Sequence, residues 1–295
     1  MTPDEGLDRI AGWIDANLDQ FRLRHARSAD HRIFLVKPLG ELVLAAALLA
    51  AAGRSRSWCG EKAAFVWEEL EEGELLLRLL AARPDLIVIS TLYANFRCFG
   101  HSNARLETLL EHLAATACCR GIEFPAWRRL DVAHGLEALG FAPFPRRPLA
   151  GTWLGAFPEP WLITDDLAYA ATHEIFYITD FGARRARLDA AVRSYVATWL
   201  PAWLRIYAGR GNWDLFGEFV MVGACLGRSP PGAVDLLAGQ MGEDGLVPGP
   251  HGSAATLKSD SDSAERGAFL CNYHTTLVAM MALALSAGDG RAAAR

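Results

Sequence analysis

P-L-G-E-L-V-L-A-A-A-L-L-A-A-A, at residues 38–52, is apolar on nearly every side, and Glu41 is its only charge. A helix that is hydrophobic all round is buried all round. Residues 213–226 and 268–287 have the same character, so we expect three inner helices. Pro38 suits the first position of its helix, because the missing N–H is not needed there.

The segments around these inner helices are amphipathic. Residues 4–24 and 60–82 carry many acidic and basic side chains on one face. Alternating inner and outer helices predict an all-α fold, a ring of helical hairpins (an α/α toroid, complete or incomplete) around a central cavity. The one strand-like run, residues 86–90, is isolated and fits a helix equally well. Further helices are predicted at residues 103–119, 127–140, 165–181, 184–208 and 231–241.

One turn-rich stretch supports the ring arrangement. Residues 236–250 read L-L-A-G-Q-M-G-E-D-G-L-V-P-G-P, in which glycines relieve backbone strain and prolines stop the helix. Similar Gln…Asp-Gly loops close the hairpins of α/α-toroid prenyltransferases, squalene-type cyclases and some polysaccharide lyases. We expect a single domain over residues 1–295, with a subdivision near 145–160. Residues 251–266 are expected to form a mobile loop, either a solvated surface loop or a lid.

Composition excludes several classes of protein. The net charge of −5 leaves no basic face for nucleic acid. The longest apolar run, residues 42–52, is shorter than the roughly 20 residues of a membrane span. The N-terminus lacks a signal-peptide pattern, and the cysteines form no C-x-x-C pair. We therefore expect a cytoplasmic protein with no nucleic-acid or membrane partner, and the sequence leaves its oligomeric state open.

The most informative candidate site lies at residues 166–180. At 100° per residue, one stripe carries aromatic, histidine and acidic side chains instead of the usual lysines and glutamates. Such a stripe fits the wall of a wet cavity, with His173 as acid–base group and Asp180 to orient it. The alternative is that Asp166 caps the helix start, His173 is a bonded core residue and Asp180 ends the helix. The aromatic residues predicted to bind substrate here are Tyr169, Phe176 and Tyr177.

Two further segments carry candidate residues. Asn212 is a natural N-cap, and Asp214 and Glu218 follow it four residues apart on a very apolar helix. His274 shares the apolar face of the last helix, so it is either a catalyst or a hydrogen-bonded core residue. We assign Asp214, Glu218 and His274 to catalysis. Glu41, Trp213 and Tyr273 are assigned to substrate binding.

Motifs for cofactors are absent from the sequence. There is no G-x-G-x-x-G after a strand, no Walker loop and no G-x-S-x-G elbow. No H-x-x-x-H or similar spacing occurs, so a metal would depend on histidines, including His134, meeting acids in the fold. Asp131 and His134 form a weaker acid–histidine pair. We expect no cofactor and no metal.

Four stretches together resemble a domain-of-unknown-function family of actinobacterial proteins. They are T-H-E-I-F-Y-I-T-D-F-G at 172–182, N-W-D-L-F-G-E at 212–218, D-G-L-V-P-G-P at 244–250 and Y-H-T-T at 273–276. The association of that family with specialised-metabolite pathways implies tailoring of a natural product. The resemblance carries no catalytic assignment for any residue.

The leading hypothesis is a cofactor-independent tailoring enzyme of cyclase, dehydratase or isomerase type, acting on a small-molecule or peptide substrate. His173 or His274 would move a proton, with Asp180, Asp214 or Glu218 orienting it. One alternative is a non-catalytic protein that binds a peptide, a carrier protein or a small molecule. Another is a metal-dependent lyase or hydrolase.

Overall fold

The fold is all-α, as predicted. The structure is a computed structural model that describes residues 2–250 and 264–292, and within those ranges it contains helices and no strands. The ring arrangement of hairpins stays a prediction. The α-helices are α1 (Pro3–Ala16), α2 (Ala29–Ala51), α3 (Arg56–Glu69), α4 (Glu74–Ala82), α5 (Ile89–Arg97), α6 (Ala104–Ala115), α7 (Ala117–Gly121), α8 (Ala126–Ala138), α9 (Asp165–Thr179), α10 (Ala190–Gly209), α11 (Trp213–Cys225), α12 (Ala233–Ala238) and α13 (Ala264–Ala292).

The chain divides into two compact units. Unit 1 comprises Met1–Ser55 and Arg193–Arg295, and unit 2 comprises Arg56–Val192. The subdivision expected near residues 145–160 falls inside unit 2. Organisation as a single domain stays a prediction.

In unit 1, α13 packs against α1, α2 and α11. All three segments expected to be inner helices, residues 38–52, 213–226 and 268–287, therefore meet here. On α11 every residue from Asp214 to Cys225 is buried. A Cβ added at Gly217 would lie 2.7 Å from Cγ1 of Val278, so α11 and α13 approach closely at that glycine.

Helix α2 begins earlier than its apolar run predicted. The side chain of Ser28 accepts a hydrogen bond from the N–H of His31 and caps the helix there. Pro38 therefore lies inside α2, and its predicted place at the first helical position is wrong. The cap outweighs the proline, which removes one backbone donor from a helix that continues on both sides.

In unit 2, α8 packs against α5 and α9. The ambiguous run at residues 86–90 is helical, because a 3-10 turn at Pro84–Val88 leads directly into α5. On α9 the apolar stripe is core, as predicted: its four members are buried, namely Ala168, Ala171, Ile175 and Ile178. Thr164 caps this helix, so the alternative that placed Asp166 at the cap is wrong.

Two helices are long and apolar enough to cross a membrane. They cover Asp30–Ala51 and Ala264–Ala287, and 56% and 72% of their most apolar windows are buried inside the fold. Core helices of globular proteins meet the same criterion, so this observation is weak evidence for a membrane span. The cytoplasmic location stays a prediction.

The expected loop at residues 251–266 lies mostly outside the described residues, which resume at Ala264. From that point the chain is helical. Arg266 is buried and donates a hydrogen bond to the backbone carbonyl of Gln20. The start of α13 is thereby attached to the turn that follows α1.

Candidate functional site

Three core helices of unit 1 bring together an imidazole and two carboxylates. The Nδ1 atom of His274, on α13, lies 3.0 Å from Oε2 of Glu41 on α2. Its Nε2 atom lies 3.5 Å from Oδ1 of Asp214 on α11. The His274 ring therefore stands between two acids, and we call these three residues the Glu41–His274–Asp214 cluster.

Local sequence fixes two of the three positions. Asn212 caps α11 as predicted, because its side chain accepts the N–H of Leu215, and Asp214 falls in the first turn. Opposite, the turn-rich stretch is fastened to α13: the N–H of Val247 donates to Thr276 Oγ1 at 3.1 Å, and the N–H of Gly249 donates to Asn272 Oδ1 at 2.8 Å. These bonds hold the α13 turn that carries His274.

The surroundings of the cluster are apolar on one side and charged on the other. The buried ring of Tyr273 stacks on Phe269 and meets Phe21 edge-on. Lys37, at the surface, places Nζ 3.6 Å from Oε1 of Glu41. The side chains are 29% exposed for His274 and 17% for Glu41, so the cluster lies just below the surface.

The pKa values of Glu41 and His274 are both shifted by this placement. Burial works to raise the pKa of Glu41, but the charges of His274 and Lys37 outweigh it and lower the pKa to about 2. Burial works to lower the pKa of His274, yet the Asp214 and Glu41 carboxylates outweigh it and raise the pKa to about 10. At neutral pH the ring is therefore an imidazolium.

The contact between Glu41 and His274 is a charge contact without hydrogen-bond alignment. Both facing atoms, Oε2 and Nδ1, are closed to solvent, and neither makes an aligned hydrogen bond to any residue in the described part of the chain. At 3.0 Å the opposite charges of the two groups still attract each other, but their atoms are not aligned for a hydrogen bond. Oε2 therefore retains a hydrogen bond that it could accept from another molecule, and Nδ1 retains one that it could donate.

A second acid–histidine pair lies in unit 2. Oδ1 of Asp180 is 2.9 Å from Nε2 of His134, and Nε of Arg184 is 3.4 Å from the other oxygen. The hydrogen bond from His134 outweighs burial and lowers the pKa of Asp180. Asp180 also ends α9 in the left-handed conformation, with φ of 50°. The expected partnership of Asp180 with His173 is thus replaced by one with His134.

His173 itself is bonded within its own helix. Its Nδ1–H donates to the backbone carbonyl of Tyr169 at 2.8 Å, and the edge of Trp127 meets its ring. Phe176 and Tyr177 are buried beside it. These contacts fit the core-histidine alternative at least as well as a catalytic role, and the role of His173 stays a prediction.

The remaining predicted residues of unit 1 are on α11. Glu218 is buried one turn beyond Asp214, and Trp213 is half-buried with its ring edge-on to Phe216. Of the predicted site residues, the structure therefore groups Glu41, Asp214, Tyr273 and His274. Tyr169, His173, Phe176, Tyr177 and Asp180 belong to unit 2.

Sequence reasoning missed a buried carboxylate on α9. Glu174 is 1% exposed and accepts the N–H of Trp153 and the N–H of Leu154, each at 3.1 Å. Burial outweighs these hydrogen bonds and raises its pKa to about 7. A signal was present, because position 174 lies on the same helical face as the core residues Ala171 and Ile178. An acid on a core face predicts a specific partner.

Glu174→Gln should flatten the pH dependence of stability. A carboxyl whose pKa is raised from 4.5 to about 7 keeps a proton in the folded protein that the unfolded chain has already released. Its contribution therefore falls as pH rises through that window, by about 3 kcal/mol in all. Urea unfolding at pH 5, 6, 7 and 8 measures the slope. Exposed Glu68→Gln is the control, and an unchanged slope in Glu174→Gln would refute the assignment.

Metal ligation finds no support in the described ranges. Among residues 2–250 and 264–292, no three His, Cys, Asp or Glu side chains are placed to hold a metal ion.

Comparison with known proteins identifies the family. Residues 7–284 match the family model described as Domain of unknown function (DUF6895), so the chain belongs to that family. No curated protein and no solved structure matches the chain. The matched range includes both acid–histidine groups.

Proposed function

We propose that this member of a family without an assigned function is a cofactor-independent acid–base enzyme of lyase, dehydratase, cyclase or isomerase type, acting on a carbonyl compound. The observation that carries the proposal is the buried, unaligned 3.0 Å contact between Glu41 Oε2 and His274 Nδ1. The resemblance to a family linked with specialised metabolites supports a tailoring role.

Energetics argue against a purely stabilising role for the cluster. Moving each ion from water into a protein interior costs several kcal/mol, and replacing a buried ion pair by apolar side chains is often neutral or stabilising. Apart from Lys37 and Glu218, helices α2 and α11 are apolar around Glu41 and Asp214. Ionisable groups with strongly shifted pKa values and a specific charge partner are candidates for functional sites.

His274 is suited to act as the acid. Its pKa of about 10 keeps both ring nitrogens protonated at neutral pH, so Nδ1–H is always available as a donor. A fixed cationic donor stabilises the negative charge that develops on a carbonyl oxygen when a neighbouring C–H bond breaks. The Asp214 carboxylate, 3.5 Å from the opposite nitrogen, favours the charged form of the ring.

Glu41 is suited to act as the base once substrate separates it from His274. Its pKa is low because the imidazolium and Lys37 favour the ionised form. A substrate group inserted between Oε2 and Nδ1 weakens that attraction, while burial, which raises the pKa, remains. The base therefore becomes stronger when the site is filled.

The reaction follows from the two roles. Glu41 takes a proton from the carbon next to the carbonyl. The C–H electron pair forms a C=C bond to the carbonyl carbon, and the C=O π pair moves to the oxygen, giving an enolate that His274 stabilises. Expulsion of a leaving group from the next carbon gives a lyase or dehydratase product. Return of the proton to another carbon gives an isomer, and attack of the enolate carbon on an electrophile of the same molecule closes a ring.

Exchange with heavy water tests the proposal in a mixture of candidate substrates. A metabolite extract of the organism that encodes the chain is incubated in D2O with the wild-type protein, Glu41→Gln or His274→Gln. Mass spectrometry then follows deuterium uptake and conversion. We expect uptake or conversion with the wild type and a loss of about 10²–10⁴-fold in each variant, the usual contribution of a general acid or base.

Matched controls test the effect of the substitution types themselves, and circular dichroism checks that Glu41→Gln and His274→Gln remain folded. Glu68→Gln and His112→Gln make the same substitutions at exposed positions of unit 2 and should retain wild-type rates. Equal rates in all five proteins, or no uptake with the wild type, would contradict the proposal. Binding of a compound without exchange would favour a non-catalytic binding protein instead.

A further inference from the structure

We propose that Thr275 is a positioning residue of the Glu41–His274–Asp214 cluster, holding the Asp214 carboxylate back from the imidazole ring. The inference rests on the proposed function for its purpose. The test measures only the proton affinity of His274 and does not require the protein to turn over a substrate.

One oxygen atom of Asp214, Oδ1, contacts both Thr275 and His274. Oδ1 of Asp214 accepts a hydrogen bond from the Thr275 hydroxyl at 3.2 Å, and the same Oδ1 lies 3.5 Å from Nε2 of His274. Charge-assisted N–H···O bonds are usually about 2.7–2.9 Å long. Oδ1 therefore lies nearer to the neutral hydroxyl than to the charged ring, with which it makes no full hydrogen bond.

The neighbouring threonine makes the bond of Thr275 stand out. The hydroxyl of Thr276 donates to the backbone carbonyl of Asn272, one turn back on α13, at 2.9 Å. That is an ordinary arrangement for a threonine inside a helix. Thr275 instead directs its hydroxyl to another helix, and both it and Asp214 are almost fully buried, at 1% and 2% exposed. Water therefore does not compete for this bond.

The consequence is a limit on how firmly His274 holds its proton. A hydrogen bond from Thr275 spreads the negative charge of Asp214 and fixes its oxygen at 3.5 Å from the ring. Without the hydroxyl, the imidazolium is a stronger donor for that oxygen, and the carboxylate can approach it. Closer approach favours the charged ring and would make His274 a weaker acid.

The test compares the titration of His274 by NMR in the wild type, Thr275→Val and Thr275→Ser. Valine keeps the shape and removes the hydroxyl, whereas serine retains it. We expect Thr275→Val to raise the pKa of His274 by about one unit, a tenfold tighter hold on the proton. The Nε2–H resonance should move downfield as its hydrogen bond shortens. Thr275→Ser should restore the wild-type values.

Thr276→Val is the matched control, because it removes an equally buried hydroxyl from the adjacent position, where the bonding partners are backbone groups of residues 247 and 272. It should lower stability and, because the bond to Val247 also holds the turn that carries His274, shift the His274 titration by clearly less than Thr275→Val does. An unchanged or lower pKa in Thr275→Val, or an equal shift in Thr276→Val, would overturn the positioning role. If Thr275→Val raises the pKa of His274 as expected but the wild type shows no deuterium exchange, the proposed enzymatic function is wrong and the positioning role of Thr275 remains.

Discussion

His274→Gln should destabilise the protein by about 3–5 kcal/mol at pH 6, the usual consequence of removing one partner from a buried ion pair. The substitution leaves Glu41 and Asp214 facing a neutral side chain in the core of unit 1. Lys37 compensates Glu41 poorly, because its Nζ lies 3.6 Å away on a side chain that is mostly exposed. Urea unfolding followed by circular dichroism measures the loss.

The size of this loss should depend on pH in a defined direction. The pKa of His274 is raised from 6.5 to about 10, so its contribution is full below pH 6.5 and fades as pH rises through 10. The pKa of Glu41 is lowered from 4.5 to about 2, so its contribution is present above pH 4.5 and fades as pH falls through 2. The difference between wild type and variant should therefore be largest near pH 5–6 and smaller at pH 9.

Two comparisons make the result specific. His274→Gln removes the imidazolium but leaves both carboxylates in place. The double variant Glu41→Gln/His274→Gln also removes one of these carboxylates, so it should recover part of the lost stability. His112→Gln, at an exposed position of α6, should change stability by less than about 0.5 kcal/mol. A loss of less than about 1 kcal/mol in His274→Gln at pH 6 would be inconsistent with a buried imidazolium.

Gly135→Ala should destabilise the protein by about 1–3 kcal/mol, the usual range for overpacking a tight core. An added Cβ at this position of α8 would lie 2.4 Å from the backbone N of Thr91 and 2.7 Å from the carbonyl carbon of Ser90. Backbone atoms cannot swing aside as a flexible side chain can. Helix α5 must therefore move away from α8, which also carries His134.

Gly60→Ala provides the opposite result as a control. It makes the same substitution inside α3, where an added Cβ meets nothing within 4 Å. Alanine is a better helix former than glycine, so this variant should gain up to about 1 kcal/mol. Thermal unfolding of both variants side by side separates the close approach from helix propensity. Equal signs for the two changes would refute the packing argument.

Composition and periodicity were sufficient for the fold class and the core helices. Residues 213–226 are apolar on every side, and the structure buries them as expected. The Asn212 cap could be predicted from the sequence, because an N-cap bond joins a side chain to a backbone N–H only three residues away. The early start of α2 was harder to predict. Ser28 favours a helix that begins at residue 29, Pro38 favours one that begins at residue 38, and packing decides between them.

The partners of the candidate residues depended on tertiary structure. Glu41 drew attention as the only charge in its run, but nothing local indicates that its partner is His274, in the last helix. Asp180 was expected to serve His173 because the two share a helical face. The left-handed end of α9 turns Asp180 toward His134 on another helix. A helical wheel assumes a regular helix and fails where the helix ends.

The protonation state of His274 is decisive for both proposals, because each requires an imidazolium between two carboxylates. Long-range 1H–15N NMR from pH 5 to pH 11, assigned by loss of the signal in His274→Gln, reads each ring nitrogen separately. We expect both nitrogens to be protonated at pH 7–8 and the ring to titrate near pH 10. A ring that loses its proton near the ordinary value of 6.5 would contradict both proposals.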